Sequence, residues 1–268
     1  VNVLPVTKPK VRRPPVLDFT GLPRHWYYGN AWLTHSTNAL NLLFPMGERF
    51  FIRSVKAYLD ELEDPELRER CRLFFGQEAQ HGRAHEQMYE MLESQGFEVR
   101  SFLAWYERWA FERIEASCPR SVCLSVTVAL EHLTAMLGEH ALERDHLDAV
   151  PEPMAVTLRW HSCEEIEHKS VAFDVFEEVD GRYELRVVGM FVALGLLFFF
   201  WGAGQRHLLA QEGLSWREKR RLRAAALAKG VGHAFIKEGL LPYMRRGFHP
   251  DDVDNRQLAA DWLSANGF

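Results

Sequence analysis

Apolar residues return at three- and four-residue intervals through most of this chain, and no run alternates in the period of two that marks a strand. The pattern predicts an all-α protein. One helix is expected over 34–62, kinked or restarted at Pro45. A second opens with Asp64 as N-cap, Pro65 at its first position and Glu66 in its first turn, and stops at Gly96. A shorter helix covers 99–116. Pro119 opens another that ends before Pro151, over 120–148, and Pro151 and Pro153 open one that ends at Gly181. An apolar helix, a basic helix over 215–237 and a tail helix over 251–265 follow. Pro5, Pro9, Pro14, Pro15 and Pro23 make residues 1–23 an extended arm, which leaves a helical body over 24–247 and a tail over 248–268.

Four of these helices break their own apolar stripe in the middle. On the second, one face reads Leu67, Cys71, Phe74, Glu78, His81, His85, Met88, Leu92. The helix after Pro151 repeats the pattern with Met154, Leu158, His161, Glu165, His168, Ala172, Val175, Val179. The helix after Pro119 places Glu131 between Val128 and Ala135, and the first helix places Glu48 between Phe44 and Phe51. Apolar ends turn each face inward, so the ionisable centres are expected in the core. Thirty residues separate Glu48 from Glu78 and 34 separate Glu131 from Glu165, which suggests two helical hairpins related by a pseudo-twofold axis.

Four ionised carboxylates in a protein interior repel one another and lose their hydration. Two divalent cations would balance them. Glutamate oxygens with imidazole nitrogens, and no thiolate, suit iron or manganese better than structural zinc.

The order Glu48, Glu78-Ala79-Gln80-His81, Glu131, Glu165-Ile166-Glu167-His168 resembles the ferritin-like di-iron carboxylate bundles, four-helix bundles here expected with additional helices. More closely, the stretch from Gln77 to His81, the stretch from Trp160 to His168 and Val171-Ala172-Phe173-Asp174 are similar to a bacterial family called predicted metal-dependent hydrolases, over about 12–247. The resemblance implies Glu48, Glu78, His81, Glu131, Glu165 and His168 as ligands of two iron ions, with manganese or a mixed pair as variants. It implies an O2-activating oxidoreductase that hydroxylates or otherwise oxidises an apolar small molecule, using electrons from a donor protein. Hydrolysis of an ester, amide or phosphoryl group by a metal-activated water is the alternative, and iron binding without catalysis is the second alternative.

Beside the motif, His85 and His161 lie on the same stripes. Each is a further ligand, a proton carrier or a group that orients a carboxylate. Glu164, four residues before His168, is an alternative ligand to Glu165 or a base behind it. His132 points about 100° from Glu131 and is expected to be no ligand. Glu139 is expected at the rim, Tyr89 in packing, and Cys71 and Cys163 as inert thiols.

Composition narrows the partners. Lys and Arg number 32 against 37 Asp and Glu, a net charge of −5, so nucleic acid is not an expected partner. Four cysteines without a C-x-x-C pair suit a reduced, cytoplasmic protein, and the proline-rich start lacks the apolar core of a secretory signal. Residues 187–204 carry no charge and are flanked by Arg186 and Arg206. That segment is expected to be buried in the fold or in a homodimer interface, or to make shallow contact with the inner membrane, and its phenylalanines are candidates for lining a channel. The basic run from Trp216 to Arg223 is either a solvated face or a contact for anionic head groups.

Overall fold

Asn30 starts the first long helix. Its side-chain oxygen accepts from the backbone of Trp32 and Leu33, and α1 (Ala31–Lys56) follows. The computed structural model describes residues 8–16, 18–143, 145–228 and 239–268, and among them no strand occurs. The remaining helices are α2 (Pro65–Ser94), α3 (Arg100–Tyr106), α4 (Arg120–Glu143), α5 (Glu152–His168), α6 (Val171–Val179), α7 (Tyr183–Ala210), α8 (Trp216–Leu227), the single turn α9 (Leu241–Tyr243) and α10 (Arg256–Ala265). The chain is therefore all-α, as its periodicity predicts.

Several boundaries move for identifiable reasons. The first helix is continuous through Pro45 and does not restart there. The Tyr89 hydroxyl donates to the Leu42 carbonyl (3.1 Å), beside the Asn41 carbonyl that Pro45 cannot serve. Residues 99–116 are not one α-helix: α3 passes into a π-helix over Glu107–Glu115. The helix expected up to Gly181 breaks after His168. There the Lys169 ammonium is drawn to Val253 O (2.5 Å) and Asn255 Oδ1 (2.7 Å), while Ser170 accepts from Arg70 (2.8 Å). Only Trp216–Leu227 of the expected basic helix is helical among the described residues, and 229–238 lie outside them. Asp64 caps α2 as expected, accepting from the Glu66 amide (2.8 Å), and Gly96 closes that helix with φ +85°.

Two antiparallel hairpins position the ionisable residues. Arg49 meets Glu86 (2.8 Å) and Tyr89 meets Leu42, so α1 runs against α2. Thr134 meets Glu165 and Gly138 meets Ser162, so α4 runs against α5. Apolar clusters close the bundle at both ends. One gathers Phe51, Val55, Phe74, Leu124 and Phe176, and the other Leu42, Met88, Leu92, Phe102 and Met154. A third cluster packs Ala259 and Leu263 of α10 onto Trp160 and Ile166 of α5.

Of the alternatives for α7, burial at the centre of the fold does not hold, while an interface or a membrane contact on its outer side stays open. One side packs along α1 and α4 through Met190, Ala193, Phe200 and Leu208, while Val188, Phe191, Phe198 and Phe199 are exposed. The interior is occupied by the inward side chains of α1, α2, α4 and α5, and α7 covers α1 and α4 from outside. Gly189 permits the closest approach: a Cβ there would lie 2.7 Å from the Ser125 carbonyl oxygen.

Gly189→Ala is expected to destabilise the fold by about 1–3 kcal/mol through this backbone overlap. Gly202→Ala, where an added Cβ meets nothing within 4 Å, should be neutral or gain up to about 1 kcal/mol of helix propensity. Urea unfolding midpoints of the two variants check both signs.

Candidate metal centre

Glu48 reaches the interior from α1, Glu78 and His81 from α2, Glu131 from α4, and Glu165 and His168 from α5. The structure brings all six together, each at most 3% exposed. His168 Nε2 lies 3.1 Å from Glu78 Oε1, 3.3 Å from Glu131 Oε2 and 3.6 Å from Glu165 Oε2. His81 Nδ1 lies 3.5 Å from Glu78 Oε1 and 3.7 Å from Glu165 Oε1. Two compact groups, Glu48–Glu78–His81 and Glu78–Glu131–His168, have donor atoms within 4.8 Å of one another, and Glu78 belongs to both.

Each of these imidazoles is held by its other nitrogen. His81 Nε2 shares a hydrogen bond with Glu164 Oε2 (3.1 Å), and His168 Nδ1 shares one with Gln77 Oε1 (3.0 Å). Glu164 therefore stands behind His81 and outside the cage. Arg12 of the N-terminal arm donates to Glu164 (3.4 Å) and forms a two-pronged pair with Glu167 (2.7 Å on each prong). Gln77 also donates to Glu167 (2.9 Å), so the arm, α2 and α5 are tied together on this side. Glu165 is the best-satisfied carboxylate: His161 Nε2 meets Oε1 (2.7 Å) and the Thr134 hydroxyl donates to Oε2 (2.5 Å). His85 Nε2 in turn lies 2.6 Å from His161 Nδ1, and Phe44 packs on both rings at 4.6 and 5.1 Å between centroids. His85 and His161 also form a compact group with Glu48.

The other sequence candidates fall elsewhere. His132 faces the Gly239 carbonyl (2.9 Å), and burial pushes it down to about 4. Glu139 is partly buried and belongs to no donor group among the described residues. Tyr89 packs as expected, and burial pushes the Cys71 and Cys163 thiols up to about 12, which keeps them protonated. Sequence reasoning missed Arg12, Gln77 and Thr134. Gln77 adjoins Glu78, and Thr134 lies one turn from Glu131, but uncharged groups carry no spacing signal. Arg12 reaches the site only through the folded arm. A further group, His25–His35–Glu212, is already served by the Arg24 guanidinium 3.3 Å from the same carboxylate and reads as an ion-pair cluster.

Burial dominates the electrostatics of three of the six cage residues, Glu48, Glu78 and Glu131. Burial raises Glu48 and Glu78 well above the ordinary carboxyl range, and burial raises Glu131 to about 7. Burial would lower His168, but Glu131 and Glu165 outweigh it and hold the imidazole well above its usual value. Burial would also raise Glu165, but His161 and His168 hold it well below. Burial lifts Glu164 to about 8 in spite of Arg12.

The hydrogen-bond inventory tests whether metal ions fit. Both oxygens of Glu48, Glu78 and Glu131, together with His81 Nδ1 and His168 Nε2, are buried without a hydrogen-bond partner. An unpaired buried carboxylate costs several kcal/mol, about the scale on which a fold is stable at all. The leftover atoms belong to side chains that meet in the cage, while the outer nitrogen of each imidazole and both oxygens of Glu165 are satisfied. That division fits a cation pair, with Gln77 and Glu164 fixing which imidazole nitrogen is offered.

No curated protein and no solved structure gave a significant match to the chain. A family model described as "Predicted metal-dependent hydrolase" matches residues 11–254, a span that runs from the arm that braces the cage to the loop before α10. The chain belongs to that family of predicted metal-dependent hydrolases.

Proposed function

We propose that this chain is a two-metal enzyme acting on an apolar substrate held beside the cage. The observation that carries the reading is a cavity of about 130 Å³. It is lined by α1, α4, α7 and the α3–π-helix segment, and by no residue of α2 or α5. Its walls are almost wholly apolar, among them Phe51, Phe111, Leu133 and Phe200. Phe44 and Thr134 line it and also touch the cage, Phe44 through His85 and His161 and Thr134 through Glu165. Only Phe200 among the three consecutive phenylalanines of α7 faces it.

In this reading Glu48, Glu78, His81, Glu131, Glu165 and His168 hold the metals, with Glu78 shared between them. When bound, such a pair supplies Lewis acidity to hydrolysis by water or, as iron or manganese, the electrons that reduce O2. The protein does the rest. Gln77 and Glu164 fix the imidazoles, and the apolar cavity excludes bulk water. The His85–His161 pair gives a proton a path away from Glu165 Oε1, ending at His85 Nδ1, which has no other partner.

Hydrolysis is the chemistry that the family description supports over oxidation, and the apolar cavity suits a long apolar ester or amide as its substrate. Oxidation by a di-iron centre, with O2 and a donor protein as co-reactants, is the second reading. One observation favours it: beyond Thr134, Glu115, Tyr106 and two cysteines the cavity is lined by apolar residues and glycine, and it offers no cationic or side-chain amide donor to hold an oxyanion. Metal analysis with Mössbauer spectra of protein from iron-replete cells, followed by turnover tests, separates the two. Hydrolysis predicts anaerobic cleavage of a long-chain nitrophenyl ester by manganese- or zinc-loaded protein. Oxidation predicts two antiferromagnetically coupled irons whose ferrous form consumes O2. Metal-loaded protein that does neither would leave an iron-binding protein without catalysis, and the enzyme reading would fall.

Metal affinity should climb with pH. Protons on Glu48, Glu78 and Glu131 compete with the metals, and for Glu131 the proton persists up to about 7. Binding therefore releases protons below that pH, and affinity should flatten above the highest of these values. Calorimetric titration in buffers of different ionisation heat measures the release. Glu131→Ala should bind one metal with markedly weaker affinity, and Glu78→Ala, which removes the shared carboxylate, should weaken both.

A further inference from the structure

We infer that the exposed side of α7, flanked by α8, lies flat on an anionic lipid bilayer and admits a membrane-dissolved substrate into the cavity. The substrate half of this statement rests on the cavity being the substrate site. The docking half does not.

Four observations meet on this face. Val188, Phe191, Gly195, Phe198 and Gly202 follow one another at three- and four-residue spacing, bounded by Glu184 and Arg206, and so form one apolar stripe about 21 Å long at helical rise. Phe191 is 61% exposed and Phe199, at the edge of the stripe, 59%. Soluble monomers seldom leave a run of this kind in water. Across the molecule the opposite side of α7 packs on α1 and α4, and the buried Arg186 near its start donates to Arg245 O (2.7 Å). A helix bound to the bundle along its length does not cross a bilayer as an isolated rod, but it can lie in the interface plane.

Charge selects the partner. The chain carries −5 overall, yet α8 presents Arg217, Lys219, Arg220, Arg221 and Arg223 against Glu218 alone. This helix packs on α1, and Trp32 of α1 links it to α7 just past the stripe: Gln205 donates to Trp32 O (3.0 Å), and Arg223 lies 5.7 Å over the Trp32 ring. Cations beside an apolar face suit anionic head groups above acyl chains. Trp216 (69% exposed) and Trp109 (48%) flank the same region, and Trp109 is one turn from Trp105, whose ring meets Phe199 at 6.0 Å. Tryptophans at such an edge suit the head-group layer.

The cavity reaches the same side. Val192 and Leu196, one step around α7 from the stripe, line it together with the exposed Leu137. An acyl chain leaving the bilayer would stay on apolar walls all the way to Phe44 and Thr134.

The test is flotation of the full metal-loaded chain with vesicles of phosphatidylcholine alone or of equal parts phosphatidylcholine and phosphatidylglycerol. The anionic vesicles should carry the protein, and lipids with nitroxide on the acyl chain should quench tryptophan fluorescence. Arg220→Glu with Arg221→Glu should weaken binding about thirtyfold or more, at roughly tenfold per 1.4 kcal/mol and about 1 kcal/mol per basic residue removed. Phe191→Ser with Phe198→Ser should also weaken it, with metal content and unfolding midpoint unchanged in both variants. Failure to float with either vesicle would overturn the proposal. So would a dimer in light scattering that the serine variant dissociates while vesicles leave the protein in solution, since a second copy would then cover the stripe. Vesicle binding by a protein that turns over nothing would sink the enzyme reading and leave the docking surface standing.

Discussion

The structure depends on how it tolerates carboxylates with no hydrogen-bond partner in its core. Glu48, Glu78 and Glu131 have no hydrogen-bond donor on any oxygen, and each is at most 2% exposed. Native interiors leave only a few polar groups unsatisfied, and each calls for an explanation. Three together, with Glu165 beside them, is a charge arrangement that a hydrophobic core cannot offset, and that two cations can. The apolar clusters at either end of the bundle then acquire a second role beyond stabilising the hairpins: they keep water from satisfying these oxygens in place of a metal.

The surroundings of the cage are unequal in a way that follows from which helices bring histidine. The two Glu-x-x-His helices, α2 and α5, form a braced back wall. Gln77 fixes His168, Glu164 fixes His81, and Arg12 from the arm pairs with Glu167 and donates to Glu164. The two single-glutamate helices, α1 and α4, form the front, and behind them lies the apolar cavity. Imidazole offers one nitrogen inward only if the other is engaged, so a histidine-bearing helix needs a polar partner at its back. A glutamate needs none, which leaves its helix free to face an apolar space.

Legibility in the sequence divided along the range of the interactions. Interruption of an apolar stripe is a local signal, so the meeting of Glu48, Glu78, His81, Glu131, Glu165 and His168 in space was readable from spacing; their part as ligands stays with the proposal. The caps at Asp64 and Gly96 were local too. The break after His168 was not, because its cause is a contact between Lys169 and the distant Asn255. The π-helical turn over Glu107–Glu115 left no mark in periodicity. The setting of α7 is undecided by sequence for a related reason. Its composition suits burial and membrane contact alike, and only the fold shows one side packed on α1 and α4 and the other exposed. Spacing favours Glu165 over Glu164, three rather than four residues before His168, and the hydrogen bond between His81 Nε2 and Glu164 adds the reason Glu164 stands apart.

The exposed side of α7 and the front of the cage are parts of one arrangement. If the apolar helix were buried at the centre, the cavity between α1 and α4 would be filled, and the cage would face only protein. Because α7 instead covers the two single-glutamate helices from outside, it leaves space beneath its inner side and apolar surface on its outer one. On the proposed reading the first would hold a water-insoluble molecule near the carboxylates. The second would then be where such a molecule enters, since a substrate with little solubility in water is most concentrated in lipid. A protein that kept a dry pocket but presented only charge to its surroundings would have to draw that substrate through solvent. Here the path from the outer stripe through Val192 and Leu196 to Phe44 stays apolar, and the only hydroxyl along it that touches the cage belongs to Thr134, which is bound to Glu165.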